Sequence, residues 1–345
     1  MNVAMRSAAA VVSSAVLFTL GVPPAGAVVD PCSFSNDKTN PSIISIAVSP
    51  GSVITGLVKQ TLTATIAASD NCGVSSLYLT LNPVGNVTGG SIGLYDFTLV
   101  SGTAQSGTWQ ASTVLSDYLK GGDYEATEVN GSDVNYNSVA IVYPVANLLS
   151  AREATTTTMR APSVSRLTAG ASVVLSGRVE VSAFSDPTGP LEMQALSPAG
   201  TWARVAALPV DTFGSFTVAI KATRSSQYRT VYAGDGKTAA SRSAAVRVQV
   251  APAVAIRANA VRVPVGRTVV MSGTVRPALA GQAVVLQRQS GKTWVKVSTA
   301  RLTAASAYRF VVRMSTRGAS AYRVVKLADR DRLMGASPMV RVRVG

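Results

Sequence analysis

Histidine, the side chain most often used as a general base or metal ligand near neutral pH, is absent from all 345 positions. Its absence removes the Ser-His-Asp and Cys-His nucleophile devices and every imidazole metal site. Cys32 and Cys72 are the two cysteines, too few to build a zinc site without histidine. Oxygen and guanidinium groups are what remain. Asp70 and Asn71 lie in one polar segment, and Asp133, Asn135 and Asn137 in another. Calcium needs several such hard oxygens, which makes Asp70, Asp133 and Asn135 its ligand candidates. The same residue types stabilise turns by bonding their own backbone, and that reading stands beside the first. The sequence points to no other metal or cofactor. Asp123, Glu125 and Glu128 are close enough in sequence to suggest a two-carboxylate glycosidase. Strand alternation, however, predicts Asp123 and Glu125 on one face and Glu128 on the other, the pattern of a solvated acidic strand. Ser35 and Lys38 match a Ser-x-x-Lys spacing, but in a polar arm without the companion motifs of acyl enzymes. No Gly-rich phosphate loop follows a strand and opens a helix. The expectation is a protein with no catalytic residues.

Charge is distributed unevenly. Residues 28–146 carry 3 basic and 9 acidic side chains, residues 147–250 carry 11 and 6, and residues 251–345 carry 17 and 2. The net charge therefore runs from −6 through +5 to +15 along the chain. A region at +15 repels itself and concentrates polyanions around it. Arg309, Arg313, Arg341 and Arg343 alternate with apolar residues, so they are expected to face outward and present forks to phosphate or carboxylate groups. Outside a cell the fitting partner is an anionic envelope polymer. Plain surface solvation and protection of sheet edges are the competing readings. Nucleic acid is not favoured, because the few aromatics of the last region look committed to its core and leave no stacking platform.

The elements that carry these residues read as strands throughout. Gly170-Ala-Ser-Val-Val-Leu-Ser-Gly177 returns as Gly266-Arg-Thr-Val-Val-Met-Ser-Gly273. Trp202 answers to Trp294, Phe216 to Phe310, Tyr228-Arg229 to Tyr322-Arg323, and Val246–Val250 to Val340–Val344. A period near 95 residues is a whole domain. Within each copy the period is two: Leu191, Met193 and Ala195 alternate with polar neighbours, as do Tyr308, Phe310 and Val312. The pattern predicts an all-β chain of three tandem immunoglobulin-like β-sandwich domains, at 28–146, 147–250 and 251–345. Asn147 to Thr158 reads as the first connector, and Ala251-Pro252 marks the second boundary.

Arg6, an apolar run from Ala8 to Leu20, and Ala25-Gly26-Ala27 have the layout of a signal peptide spanning residues 1–27. Export to an oxidising compartment would pair Cys32 with Cys72, a closure worth about 3–4 kcal/mol on the chain-entropy model. No further apolar run is long enough to span a membrane. The sequence sets no oligomeric state.

Asp70-Asn-Cys-Gly73-Val74, Gly107-Thr-Trp109, Gly122-Asp-Tyr124 and Asp133-Val-Asn135 give the first region a resemblance to bacterial Ig-like domains of secreted and surface proteins. The Gly…Val-x-Leu-x-Gly start, the tryptophan hairpin and the Tyr-Arg strand make the other two resemble Ig-like repeats of exported proteins from GC-rich Gram-positive bacteria. The resemblance implies a sandwich fold and an extracellular setting, and it is silent about ligand. Together these readings lead to an exported, non-catalytic binding or structural protein whose third domain holds an anionic cell-envelope polymer. A secreted adhesin that grips an extracellular protein through sheet edges or loops is the alternative, and a carboxylate-based glycosidase the remote one.

Overall fold

The computed structural model describes residues 29–85, 90–139, 145–164, 166–183 and 185–345. The expected signal peptide lies outside them. Among the described residues there is no helix, and the chain is all-β, as the period-two patterning predicts. Among the described residues, buried apolar side chains fall into three separate clusters, each closed between two sheets.

The first cluster lies between two sheets. One runs Ser42–Ser49, Thr61–Ser69, Ser106–Val114, Thr98–Gly102; the other runs Ser52–Thr55, Val145–Glu153, Gly122–Asp133, Val74–Pro83, Ile92–Leu94. Leu62, Ile66 and Trp109 meet Leu79, Tyr124 and Leu149 across the gap. The opening strand switches sheets: Ser42–Ser49 is antiparallel to Thr61–Ser69, whereas Ser52–Thr55 runs parallel to Val145–Glu153. Tyr124 donates its phenol to the Lys120 carbonyl four residues back, at 3.0 Å, the corner device of immunoglobulin-like sandwiches.

The second and third cores repeat one plan. In the second, Thr155–Met159, Ser172–Val181 and Ser215–Lys221 face Arg166–Thr168, Val246–Ala251, Ser226–Tyr232, Leu191–Leu196 and Trp202–Leu208. In the third, Ala253–Val254 and Arg257–Ala258 both pair with Thr268–Arg276, which pairs with Ala307–Arg313. Opposite them stand Arg262–Val263, Val340–Val344, Gly318–Lys326, Ala283–Ser290 and Thr293–Arg301. The glycines that match in the sequence repeat match in function. A Cβ on Gly177 would lie 2.1 Å from the Thr158 carbonyl oxygen and 2.4 Å from the Phe216 ring, and one on Gly273 would lie 1.9 Å from that of Ala255 and 2.6 Å from the Tyr308 hydroxyl. The aromatic of one strand packs over the bare backbone of the next in both copies.

The expected connector at residues 147–158 is instead structured. Strand Val145–Glu153 closes the first sandwich, and only Ala154 separates it from Thr155–Met159, the first strand of the second. Its apolar-polar alternation (Leu149 and Ala151 buried, Ser150 and Arg152 not) is a strand signal that the Asn147 start concealed. Strand Ser106–Val114, noticed in sequence only for its tryptophan, is central to the first sheet.

Hydrogen bonds cross both junctions. Glu153 exchanges backbone bonds with the loop 234–240 of the second sandwich, donating to the Lys237 carbonyl and accepting from the Ala239 amide, each at 2.8 Å. The loop 327–335 of the third sandwich contacts the second in the same manner. Ser225 donates to the Asp331 carbonyl (2.7 Å), Leu333 donates to that of Val250 (2.8 Å), and Arg332 reaches the Thr223 carbonyl.

Candidate functional site

All four arginines singled out in sequence are exposed, but the structure does not bring them together. Tyr308 and Phe310 from one sheet and Val342 and Val344 from the other point into the shared core, so their neighbours point away from it in opposite directions. Arg309 and Arg313 occupy one outer face, and Arg341 and Arg343 the other.

Register defines what surrounds each pair. Arg309 is opposite Ser272, which is also opposite Arg257, so two arginines flank a serine about 10 Å apart on one row. Arg313 lies about 13 Å further along its strand. On the second face Arg343 is opposite Arg262, one strand spacing of about 4.8 Å away, and Arg341 follows about 7 Å along the strand. This second group is the tighter one. The two acids of the third region, Asp329 and Asp331, sit in the loop that contacts the second sandwich, and Asp329 is paired with Lys326 at 3.3 Å. Neither outer face carries a carboxylate.

Trp294 departs from the expectation that the third region's aromatics belong to its core. Tyr308, Phe310 and Tyr322 do, but Trp294 lies on the outer face under the Arg323 guanidinium, 4.2 Å from the ring centroid, and Arg323 donates to the Gln287 amide oxygen at 2.8 Å. The second sandwich repeats the arrangement with Trp202, Arg229 and Gln194 at the same distances. Strand Thr293–Arg301 is a sheet edge, and the Arg323 guanidinium stacks on the Trp294 ring there. A cleft of about 370 Å³ lies between the second and third sandwiches, bordered by Arg224, Arg247, Arg330 and Asp331.

At the far end of the first sandwich the calcium candidates do converge. Asp70 follows strand Thr61–Ser69, and Asp133 ends strand Gly122–Asp133. Asp37, which is not among the sequence candidates, joins them from the arm at residues 30–39: one carboxylate oxygen from each of the three lies within 4.8 Å of the others, and all three residues are buried. Cys32 and Cys72 are disulfide-bonded, which ties that arm to the 70–73 loop. Asn135 donates to Asp37 Oδ2 (3.1 Å) and to the Cys32 carbonyl, while Asn71 donates to Asp37 Oδ1 (3.1 Å). Hydrogen bonds from Asn71 first, then from Asn135, hold the Asp37 carboxyl down at about 2 against the opposing effect of burial. The cue in the sequence is Ser35-Asn36-Asp37, a short polar stretch close after the cysteine that pairs with Cys72.

Other sequence candidates resolve into structure. A bulge in strand Gly122–Asp133 puts Glu128 opposite Thr80 and Ala126 opposite Leu81, so Tyr124, Ala126 and Val129 are buried, and Glu128 emerges on the same outer side as Asp123 and Glu125. This overturns the expectation that Glu128 points the other way; simple alternation fails wherever one residue is inserted. Asp123 is engaged by Arg152 at 3.1 Å. Lys38 donates to the Phe34 carbonyl and lies over that ring rather than activating Ser35, whose hydroxyl pairs with that of Ser33.

Among the described residues no helix is long and apolar enough to cross a membrane. No protein-family model and no curated protein matches the chain. Several solved structures resemble it at low identity. A tetra-tandem repeat from the extending region of a large adhesion protein is 16% identical, with a TM-score of 0.40, over 88% of this chain and 74% of that one. A marsupial T cell receptor is 14% identical, with a TM-score of 0.37, over 85% and 99%. The D0-D1 domain of intimin is 14% identical, with a TM-score of 0.24, over 55% and 97%. Likeness at this level transfers neither activity nor partner.

Proposed function

We propose that the chain is an exported, non-catalytic binding module whose third sandwich holds an anionic polymer of the cell envelope, chiefly through Arg262, Arg341 and Arg343. The observation that carries this reading is that Arg262 and Arg343 stand on adjacent strands, with Arg341 two residues along, all exposed on a face without any acidic side chain. Guanidinium forks on such a face are free to take phosphate or carboxylate oxygens bidentately. The signal-peptide layout of residues 1–27 and the Cys32–Cys72 bond support an extracellular setting.

Co-sedimentation with phosphate-rich cell-wall polymer across a salt series tests it. Binding should fall steeply between 0.05 and ~0.5 M salt as the screening length shrinks below the spacing of the charges. The pair Arg341→Gln and Arg343→Gln should weaken it at least ~10-fold, and more than Arg309→Gln with Arg313→Gln. Binding that ignores both pairs, or that persists at high salt, overturns the reading. A second reading, docking of an extracellular protein along a sheet edge, has one observation in its favour. Strand Thr293–Arg301 is paired on one side only and exposes Val295 and Val297. Salt-resistant retention by a protein, lost on placing proline in that strand, would select it.

A further inference from the structure

We propose that Asp37, Asp70 and Asp133 form a calcium-binding site at the end of the first sandwich, a role independent of the polymer-binding reading. The three residues are only 2%, 6% and 1% exposed, and their carboxylate oxygens approach within 4.8 Å. Burying like charges at this distance is unfavourable unless a cation or proton intervenes. The ion pairs found among the described residues join Arg152 to Asp123, Arg178 to Glu180, Arg204 to Glu192 and Lys326 to Asp329, and none of them reaches this cluster.

A second, independent observation points to a ligand. Asp70 Oδ1 accepts the amides of Cys72 and Gly73, at 2.8 and 2.7 Å, which fixes the carboxylate plane. Asp70 Oδ2 is buried and has no hydrogen-bond partner at all. A turn-stabilising aspartate has no use for an orphaned buried oxygen, since such an atom costs free energy unless something pairs with it. A cation held among the three carboxylates would satisfy it.

Donor chemistry selects the ion. The site offers only oxygens, histidine is absent, and both cysteines are consumed in their disulfide, so a hard cation fits and a transition metal does not. Calcium accepts six to eight oxygens in flexible geometry, whereas magnesium demands a tight octahedron and keeps its waters. The Asn71 and Asn135 amides that now touch Asp37 through nitrogen present their oxygens after a half-turn of the amide group. The disulfide holds Asp37 over the two loops, and so sets the geometry of the site from outside it.

The purified chain with its disulfide intact, stripped with EGTA and dialysed, tests the proposal with calcium chloride as the probe. One calcium ion per chain is expected by equilibrium dialysis. Calcium at a hundredfold excess over its dissociation constant should raise the midpoint of the first sandwich's thermal transition by about 10 °C. Asp70→Asn keeps Oδ1 for the two amides and should abolish both effects; Asp37→Asn, in the arm outside the sandwich, should do the same. In EGTA Asp70→Asn should melt at or above the wild-type midpoint, because a charge with an unpartnered oxygen is gone, whereas Asp37→Asn, which loses a carboxylate held by Asn71 and Asn135, should melt below it. Arg341→Gln with Arg343→Gln should leave calcium binding intact, which separates this site from the polymer surface. An unmoved wild-type midpoint with no calcium retained overturns the proposal. So does calcium binding that survives in both aspartate variants, or a midpoint that responds to magnesium and not to calcium.

Discussion

Truncating Glu153 should uncouple the first two sandwiches. Its side chain is fully buried at their junction, where Oε1 accepts the Gly121 amide (3.0 Å) and the Ser185 hydroxyl (2.8 Å) and Oε2 accepts the Ser185 amide (2.9 Å). Gly121 permits the approach, for a Cβ there would stand 1.7 Å from the Lys237 carbonyl oxygen. In Glu153→Ala the Ser185 hydroxyl can rotate to another acceptor, but the two amides cannot. Two stranded amides at about 1–3 kcal/mol each, with about 0.8 kcal/mol for the one buried methylene removed, give a loss of about 3–7 kcal/mol. Glu153→Gln keeps the shape and one acceptor but turns a donor toward an amide, and should cost about 1–3 kcal/mol. Differential scanning calorimetry is the suitable assay, since a multi-core chain need not unfold in two states. The Ala variant should lower the first transition by more than ~10 °C and separate it from the second, with the third unmoved. An Ala variant within ~1 kcal/mol of wild type, or one no worse than Gln, would refute the claim that this carboxylate joins the two bodies.

Gly273→Ala forces a Cβ into the Ala255 carbonyl and the Tyr308 hydroxyl and should cost about 2–3 kcal/mol in the third transition, measured by denaturant unfolding; a neutral result would mean that the strand pair has slack. Burial pushes the Asp235 carboxyl up, but bonds from Thr188, the Lys237 amide and Thr238 outweigh it and hold the group well below its usual range. Its folded pKa is therefore depressed, so its stabilisation is present above about pH 4 and drains away as pH falls further. Asp235→Asn should flatten the acid dependence of the second transition below that pH, as read by urea midpoints. Net charge of +15 with both acids confined to one loop makes the third sandwich self-repelling, so its midpoint should rise between ~0.02 and ~0.5 M sodium chloride; a fall would show that local ion pairs dominate.

The repeat was legible in sequence because the constraint at each of its positions is short-range. Gly177 and Gly273 must admit an aromatic ring, so their spacing reveals them, but register makes Tyr308 and not Phe310 the counterpart of Phe216, a two-residue slip that matching residue types concealed. Readings failed where geometry is set by an insertion or by a distant segment. The bulge before Glu128 reverses its side without any special residue type to announce it. Asp37 sits 33 positions before Asp70 and 96 before Asp133, and the folded disulfide with the Asn71 and Asn135 hydrogen bonds brings it beside them. Likewise, alternation correctly turned four arginines outward, but it does not say which of two opposed sheets each strand joins, and that decides whether they form one patch or two.

Tandem packing explains why the candidate surfaces lie where they do. The ends of a sandwich in a row are occupied by its neighbours: loop 234–240 meets Glu153, and loop 327–335 meets Val250 and Ser225. Faces, edges and any uncovered end are what remain for other partners, and the third sandwich carries its arginines on both faces. In the first sandwich one strand separates the two kinds of end. Gly122 begins it beside the junction, and Asp133 finishes it in the acid cluster, about 35 Å away at strand rise. A cation bound at the distal end therefore stabilises the first core and its arm without touching the Glu153 contacts, and neither event alters the guanidinium spacing two sandwiches away. The proposed cation site, the Glu153 junction and the arginine faces are thus separable by distance along the row, so a variant at one can be read without disturbing the others.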